Sequence, residues 1–452
     1  MALFTKRRPV LAVAAAGTIA LLAACGGGSS GTGTPQAGAT SSCAPAPKGE
    51  KVNLTFSSWV PGMQKTVDLW NSKNPDIQVS YKEVVGGNDG TYQAYSNQIK
   101  AKKTGDLGMA EFDNLPTLRL QDGLANIAAC QPVADSKSKF VDWTISQVGF
   151  GEPGAVYGIP MDIGPMALYY RKDLFAKNGI KVPATWDEFY TAAKQIKAMG
   201  ALITDLPPDQ PAWFTSLAWQ NGAKWFSNDN SKWTVNLTDD KSTQVADYWQ
   251  KLIDEKLVDT IPGLAEPQWK ALDSDKEWSL IGAAWTTKLL AFSAPKTAGK
   301  WAVAPLPQWQ AGGTASGNWG GSTAFVFKGS KHPYEASKFA TWAFSAPEAL
   351  ALNNANGGQY PATTEGQASL PALKEGLPYY GGQKVWEVFA TAAAGVDPSF
   401  QWGPTMTQTY GDLADGLGRA VNGKGTVSEA LKGAQDKTVQ TMKSQSLDVA
   451  SS

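Results

Sequence analysis

Residues 156–189 read VYGIPMDIGPMALYYRKDLFAKNGIKVPATWDEF, and the changes of pattern inside this stretch decide the fold. Val156 to Pro160 is a short apolar run broken by Gly158 and Pro160, which suits a strand that leaves one structural unit and enters another. Ala167 to Tyr170 then resumes an extended apolar stretch. Thr185 and Glu188 stand three apart ahead of Phe189, Ile196 and Met199, so that hydroxyl and carboxylate can satisfy the free amides of a helix start, and Gly200 ends the helix. The stretch therefore predicts a crossing point between two units, followed by a docked helix.

Working outward toward the N-terminus, Lys6, Arg7 and Arg8 precede an apolar run, Val10 to Leu22, that is too short to span a bilayer of about 30 Å. It reads as a secretion signal. Leu22-Ala23-Ala24-Cys25 is similar to a bacterial lipoprotein cleavage box, in which small residues admit the peptidase and the Cys25 thiol takes the lipid; the alternative is a signal cleaved elsewhere. Residues 26 to 47 are Gly, Ser, Thr, Ala and Pro with scarcely a large apolar side chain, so a flexible tether is expected over 25–50. With 1–24 removed as signal peptide, roughly 400 residues lie beyond the tether, which favours two domains over one oversized core.

The chain carries 40 basic and 40 acidic residues, a formal net charge of zero, so nothing electrostatic favours a nucleic acid or an anionic membrane surface. Of the three cysteines, lipidation of Cys25 leaves Cys43 and Cys130 as the pair an oxidising compartment could join. Strands and helices alternate. Val52 to Phe56 reads as a strand, Gln64 to Ser72 as a helix carrying Val67, Leu69 and Trp70, and Ile77, Val79 and Tyr81 alternate as a second strand, which makes one βαβ unit and an α/β fold. The loop after the first strand, Ser57 to Gly62, falls at the carboxyl edge of the sheet where such folds place ligands, and it carries Trp59. Glu111-Phe112-Asp113-Asn114 marks a second such edge. Thr426 and Glu429 repeat the capping pattern before Ala430, Leu431, Ala434 and Val439.

The opening stretch resembles the segment of bacterial ABC-transporter solute-binding proteins, the maltose-binding group in particular, in which Y-G-I/L-P, Y-Y/N-x-K-D-L-F and T-W-x-E-F/I recur in this order. The resemblance extends over most of residues 51 to 445. Trp301 to Pro307, Trp319-Gly320-Gly321 and Thr323 to Lys328 look like the return into the first lobe, and Pro404 to Gln435 like the C-terminal helix pair. It implies a two-lobed periplasmic-binding-protein type II fold, with a first lobe of 51–161 and 303–347 and a second of 162–302 and 348–445, closing on a ligand between them. It also implies a monomer without cofactor or metal, held to the membrane by its lipid and serving the permease of an importer.

Trp occurs 18 times and aromatic residues make up 10% of the chain; aromatic faces complement the C–H faces of pyranose rings while carboxylates and amides receive the hydroxyls. A carbohydrate, an oligosaccharide in particular, is the expected ligand. Trp70, Trp186 and Trp249 read as helix packing. Among the rest, Asp113 matches the acidic residue the maltose-binding group places on its first lobe, and Asp162 follows the crossing Pro160. That group carries its acid two places further on, where this chain has Gly164. Trp213 and Trp285 fall in the stretches that supply stacking rings from the second lobe, Tyr410 aligns with a family Trp whose role nearby Trp402 could take over, and Trp319 can reach the cleft because Gly320 and Gly321 permit close backbone approach.

The residues leave two rival readings. A lipid-anchored glycoside hydrolase needs two carboxylates, which Asp113 and Asp162 nominally supply, but no acid and base pair sits in a recognisable barrel pattern. The same fold could also take a non-sugar solute: Tyr169-Tyr170 and Tyr379-Tyr380 resemble the tyrosine pairs of ferric-binding proteins, although a buried strand explains the first pair and a Gly/Pro loop the second. A nucleophilic triad or metal centre is hard to build when the one histidine, His332, sits in a turn before a helix.

Overall fold

The computed structural model describes residues 43–150, 152, 154–229 and 232–450. The signal segment, Cys25 and most of the expected tether lie outside them. Within the described residues the strands are β1 Val52–Ser58, β2 Ile77–Glu83, β3 Leu107–Glu111, β4 Ile159–Asp162, β5 Met166–Arg171, β6 Phe226–Asp229, β7 Lys232–Val235, β8 Ser279–Ala283, β9 Trp301–Pro305, β10 Ser322–Val326 and β11 Asp448–Val449. They form a five-stranded sheet in the order β2-β1-β3-β10-β4, a three-stranded sheet β8-β5-β9, and a small sheet β11-β7-β6. Helices flank the sheets, and no described helix is long and apolar enough to cross a membrane.

β1 alternates buried Val52, Leu54 and Phe56 with exposed Asn53 and Thr55, the period-two pattern of a sheet with one face in the core. Helix Met63–Lys73 returns the chain to the parallel partner β2, and its Trp70 ring is fixed by an indole N–H donated to the Ile77 carbonyl at 2.8 Å. β3 is buried between β1 and β10. Gly108 within it is required, since a Cβ there would lie 2.5 Å from the Phe325 ring of β10.

In the second lobe β5 is central. Its Tyr169 hydroxyl donates to the Ala283 carbonyl at 2.7 Å, and the buried Arg171 guanidinium is paired with Asp173 and Asp275, so the charge entering the core is compensated. Helix Trp186–Ala198 starts with the expected capping box, Glu188 N–H on Thr185 Oγ1 at 3.2 Å and Thr185 N–H on Glu188 Oε2 at 3.2 Å. Helix Val427–Ser444 has the same box from Thr426 and Glu429.

The lobes are joined by three segments lying side by side. Ile163 to Pro165 links β4 to β5. The return runs from Pro305 to Ser322, later than the expected 303, because β9 pairs along its whole length with β5 and only β10 belongs to the first sheet. Outgoing and returning segments bond to each other, Met166 N–H to the Gly317 carbonyl at 3.1 Å and Trp319 N–H to the Gly164 carbonyl at 2.8 Å. The third crossing also comes later than the expected 347. Helix Pro347–Gly357 docks back on the first lobe, where Thr66 donates to Asn353 Oδ1 at 2.6 Å, and the chain leaves past Tyr360, whose carbonyl accepts from Ile163 N–H at 3.0 Å.

Cys43 and Cys130 form a disulfide with Cα atoms 4.9 Å apart. With Ala46 N–H held by the buried Glu335 carboxylate at 2.7 Å, the chain is pinned to the first lobe from Cys43 onward, which shortens the tether expected to reach residue 50. The second lobe likewise runs past residue 445, because β11 adds a strand to the β6–β7 hairpin.

Candidate functional site

β1 and β3 run parallel, and β3 and β4 are each antiparallel to β10, so the carboxyl ends of β1, β3 and β4 gather on one edge of the first sheet. That edge presents Trp59, Glu111, Asp113 and Asp162. It borders a cleft of about 630 Å³ whose remaining walls are Asp209 to Ala212, Leu264 and Trp285 from the second lobe, Trp319 to Ser322 and Gln359 from the crossing segments, and Thr407, Tyr410, Gly411 and Ala414 from helix Met406–Val421. Placement at the strand ends follows the rule for open α/β sheets.

The aromatic wall is built around Trp285 and Trp319. Their rings meet edge to face at 4.7 Å, and the Trp285 indole N–H donates to the Trp319 carbonyl at 3.0 Å, which holds the ring against the returning segment. Gly320 and Gly321 have φ of +79° and +85°, and a Cβ on Gly321 would lie 2.7 Å from the Phe112 ring, so this turn admits only glycine. On the opposite wall Trp59 stands edge-on to Tyr92 at 5.9 Å. Gly164 explains the departure from the maltose-binding pattern: a Cβ there would lie 1.9 Å from the Trp319 carbonyl oxygen, so no acid fits, and the carboxylate that reaches the cleft at this crossing is Asp162.

Three carboxyl groups share the first-lobe side. Burial pushes Glu111 up to about 8, and the charges of Asp113 and Asp162 add to the rise while the Tyr92 hydroxyl, donating at 3.2 Å, opposes it. Burial also raises Asp113, against the pull of Asn114, whose amide donates to Oδ1 at 2.9 Å. Asp162 is raised by burial and opposed by Ser322, whose N–H donates at 2.8 Å. Gln359 is 4% exposed, and its amide, although close enough to Asp162 to help hold that carboxyl down, makes no hydrogen bond of good geometry in the protein; the Tyr410 hydroxyl, close to Asp113, makes none either. Buried polar groups without partners cost about 1–3 kcal/mol each, so these mark where a ligand's or water's hydrogen bonds belong.

Trp59, Asp113, Asp162, Trp285, Trp319 and Tyr410 thus meet in one cleft. Trp213 and Trp402 do not. Helix Pro211–Gln220 starts at the cleft with Pro211 and Ala212, but a helix turns about 100° per residue, which carries Trp213 into the core. There it is 2% exposed, its indole N–H donates to the Ile281 carbonyl at 3.0 Å, and its ring abuts Trp249 at 4.9 Å. Trp402 packs on Phe400 at 4.9 Å and Trp219 at 5.7 Å, and lines a second cavity instead. Glu111 is a cleft residue beyond those the sequence reading names, and strand alternation, which puts it on the same face as cleft-lining Met109, is the signal for it. Gln359 carries no local signal at all.

A concave site with stacking rings, acceptors and a buried amide suits polar, ring-bearing solutes. Among the described residues no group of three or more His, Cys, Asp or Glu is arranged to hold a metal ion. The fold and the cleft together define a two-lobed solute-binding protein of the type II periplasmic-binding class. The profile of the bacterial extracellular solute-binding proteins matches residues 56–350, and the chain belongs to that family.

Among its relatives, the lactose-binding protein of Rhizobium radiobacter is 28% identical over 414 residues, 85% of this chain and 92% of that protein. The arabinooligosaccharide-binding protein of Bacillus subtilis is 25% identical over 62% of this chain and 66% of its own length. In three dimensions the galacto-N-biose/lacto-N-biose I-binding protein of the ABC transporter of Bifidobacterium longum, solved with lacto-N-biose, is similar with a TM-score of 0.81 at 28% identity, over 89% of this chain and 100% of that one. The ABC-transporter-associated binding protein of B. animalis subsp. lactis, solved with β-1,6-galactobiose, follows with a TM-score of 0.77 at 29% identity over 89% and 100% of the two chains.

Proposed function

We propose that this protein captures a carbohydrate of disaccharide size or longer between its lobes and delivers it unaltered to the permease of an ABC importer. The observation that carries this reading is the pairing, in one cleft, of the Trp285–Trp319 wall with the Glu111, Asp113 and Asp162 carboxyls and the buried Gln359 amide beside them. Rings cover the apolar faces of a pyranose, and carboxyl and amide groups take its hydroxyls. The ligands of the relatives, lactose, lacto-N-biose and galactobiose among them, are of this chemistry. Sugar held by both lobes favours the closed arrangement, so ligand shifts the population toward closure about the three crossing segments. The protein acts outside the cytoplasm as a monomer, anchored through lipid on Cys25.

A thermal-shift panel of lactose, β-1,6-galactobiose, maltose and galactose tests it. A ligand present at a hundred times its dissociation constant adds about 2.7 kcal/mol of stability. A raised midpoint with at least one disaccharide, recovered intact by chromatography, is expected; no shift with any saccharide contradicts the reading, and cleaved sugar supports the hydrolase. Separately, Cys25→Ala should release the protein from the membrane or leave an unprocessed precursor, and a processed, anchored variant would refute the lipid anchor.

A further inference from the structure

The helix Leu115–Leu120 follows directly on Asp113 and Asn114, and the segment Phe400 to Pro404 directly precedes Thr407 and Tyr410. Thr407 donates to Asn114 Oδ1 at 2.6 Å and ties the two segments together. With Gln147, Phe150 and Glu152, and with Asn228 of β6 and Trp233 of β7, they line a second cavity of about 470 Å³, within the size range of small-molecule sites. Phe150, Trp233, Phe400 and Trp402 give it aromatic walls.

Three polar atoms on lining side chains are buried without a partner: the Trp402 indole N–H, on a residue 8% exposed, the Gln147 carbonyl oxygen, on one 4% exposed, and Arg119 Nε. Gln147 is oriented by its own amide N–H, which donates to the Phe400 carbonyl at 2.9 Å and leaves Oε1 free to accept. The Arg119 charge is already offset, with Glu152 at 3.6 Å and the Tyr157 ring at 4.8 Å from Cζ, and among the described residues no other cation lines the cavity. Two donors, one acceptor and aromatic faces without net charge suit a neutral polyhydroxylated ring.

The geometry points to a second saccharide site, separate from the interlobe cleft, that takes one uncharged pyranose. It does not rest on the cleft's ligand being a sugar. The test is NMR of the full chain labelled with ¹⁵N-tryptophan, with the Trp402 and Trp285 indole signals assigned through Trp402→Phe and Trp285→Ala. The probes are methyl β-galactoside, methyl β-glucoside and, as an anionic control, glucuronate.

A saturable shift of the Trp402 signal with at least one neutral glycoside is expected, persisting in Trp285→Ala and weakened at least tenfold in Trp233→Ala, whose folding is checked by its melting curve. The half-buried Trp233 is the platform removed in that variant. A Trp402 shift that vanishes in Trp285→Ala reports cleft closure alone and overturns the second site, as does a signal that never moves. Response to glucuronate alone overturns the neutral class. Movement of Trp402 with Trp285 still would sustain the second site while counting against the cleft, so the two readings fail separately.

Discussion

Two groups of tryptophans in this molecule use the same side chain for different ends. Trp186, Trp213 and Trp249 sit in the second-lobe core, no more than 2% exposed, with rings 4.9 Å and 6.1 Å apart, and with the indole N–H groups of Trp186 and Trp213 spent on Gln220 and the Ile281 carbonyl. Trp59, Trp285 and Trp319 border a cavity alongside three carboxyl groups and the Gln359 amide, which makes no hydrogen bond of good geometry within the protein. A ring enclosed by rings contributes to stability, whereas a ring beside polar groups that face a cavity contributes to affinity. Composition cannot separate the two; the neighbours of each ring do.

The contrast can be broken most forcefully at Trp213. Trp213→Ala should cost about 3–5 kcal/mol of stability, read from urea unfolding, as for other large-to-small core substitutions, with the affinity of the remaining folded protein close to wild type. Lost affinity without lost stability would put this ring in the ligand's path after all. Trp285→Ala should do the opposite and weaken the best disaccharide by about 2 kcal/mol or more in calorimetry, a hot-spot loss, with a smaller change in unfolding than Trp213→Ala. Asp113→Ala removes an acceptor facing the cleft and should cost about 1.5–3 kcal/mol of binding, the range for hydrogen bonds to charged groups. Wild-type affinity in either cleft variant would remove that residue from the site.

A second contrast, between two sets of buried acids, sharpens the first. Glu111, Asp113 and Asp162 border the cleft, while Asp205 and Glu277 are sealed in the second lobe, at 1% and 0% exposed. Burial raises both kinds, Glu277 to about 10, so a displaced carboxyl is no sign of a site unless a cavity lies beside it. The sign for stability is shared. A carboxyl raised on folding holds its proton more tightly in the folded chain, so stability falls as pH climbs above the unfolded value and stops falling past the folded one. For Glu111 that window runs from about 4.5 to about 8. Glu111→Gln should therefore flatten the wild-type decline in urea midpoint across this window, and parallel curves would show that Glu111 does not titrate there.

Much of the frame was legible because it rests on local chemistry. The Thr185–Glu188 and Thr426–Glu429 boxes need only a hydroxyl and a carboxylate three apart, and the crossing at Pro160 to Ala167 needs only a broken apolar run. What failed depends on distant partners. Trp301 to Pro305 reads as a strand in either lobe, and only its pairing with β5 assigns it to the second. Trp213 is two residues from cleft-lining Pro211, and helix phase, which one ring cannot reveal, turns it inward. Gln359 is a functional candidate solely because the fold buries its amide beside the cleft without a hydrogen bond of good geometry.

The most direct test is a crystal structure of the protein with the disaccharide that gives the largest thermal shift. The account predicts one pyranose ring against Trp285 or Trp319, with sugar hydroxyls within hydrogen-bonding distance of Asp113, Asp162 and the Gln359 amide. Sugar bound with those groups untouched, or seated only outside the interlobe cleft, would contradict it.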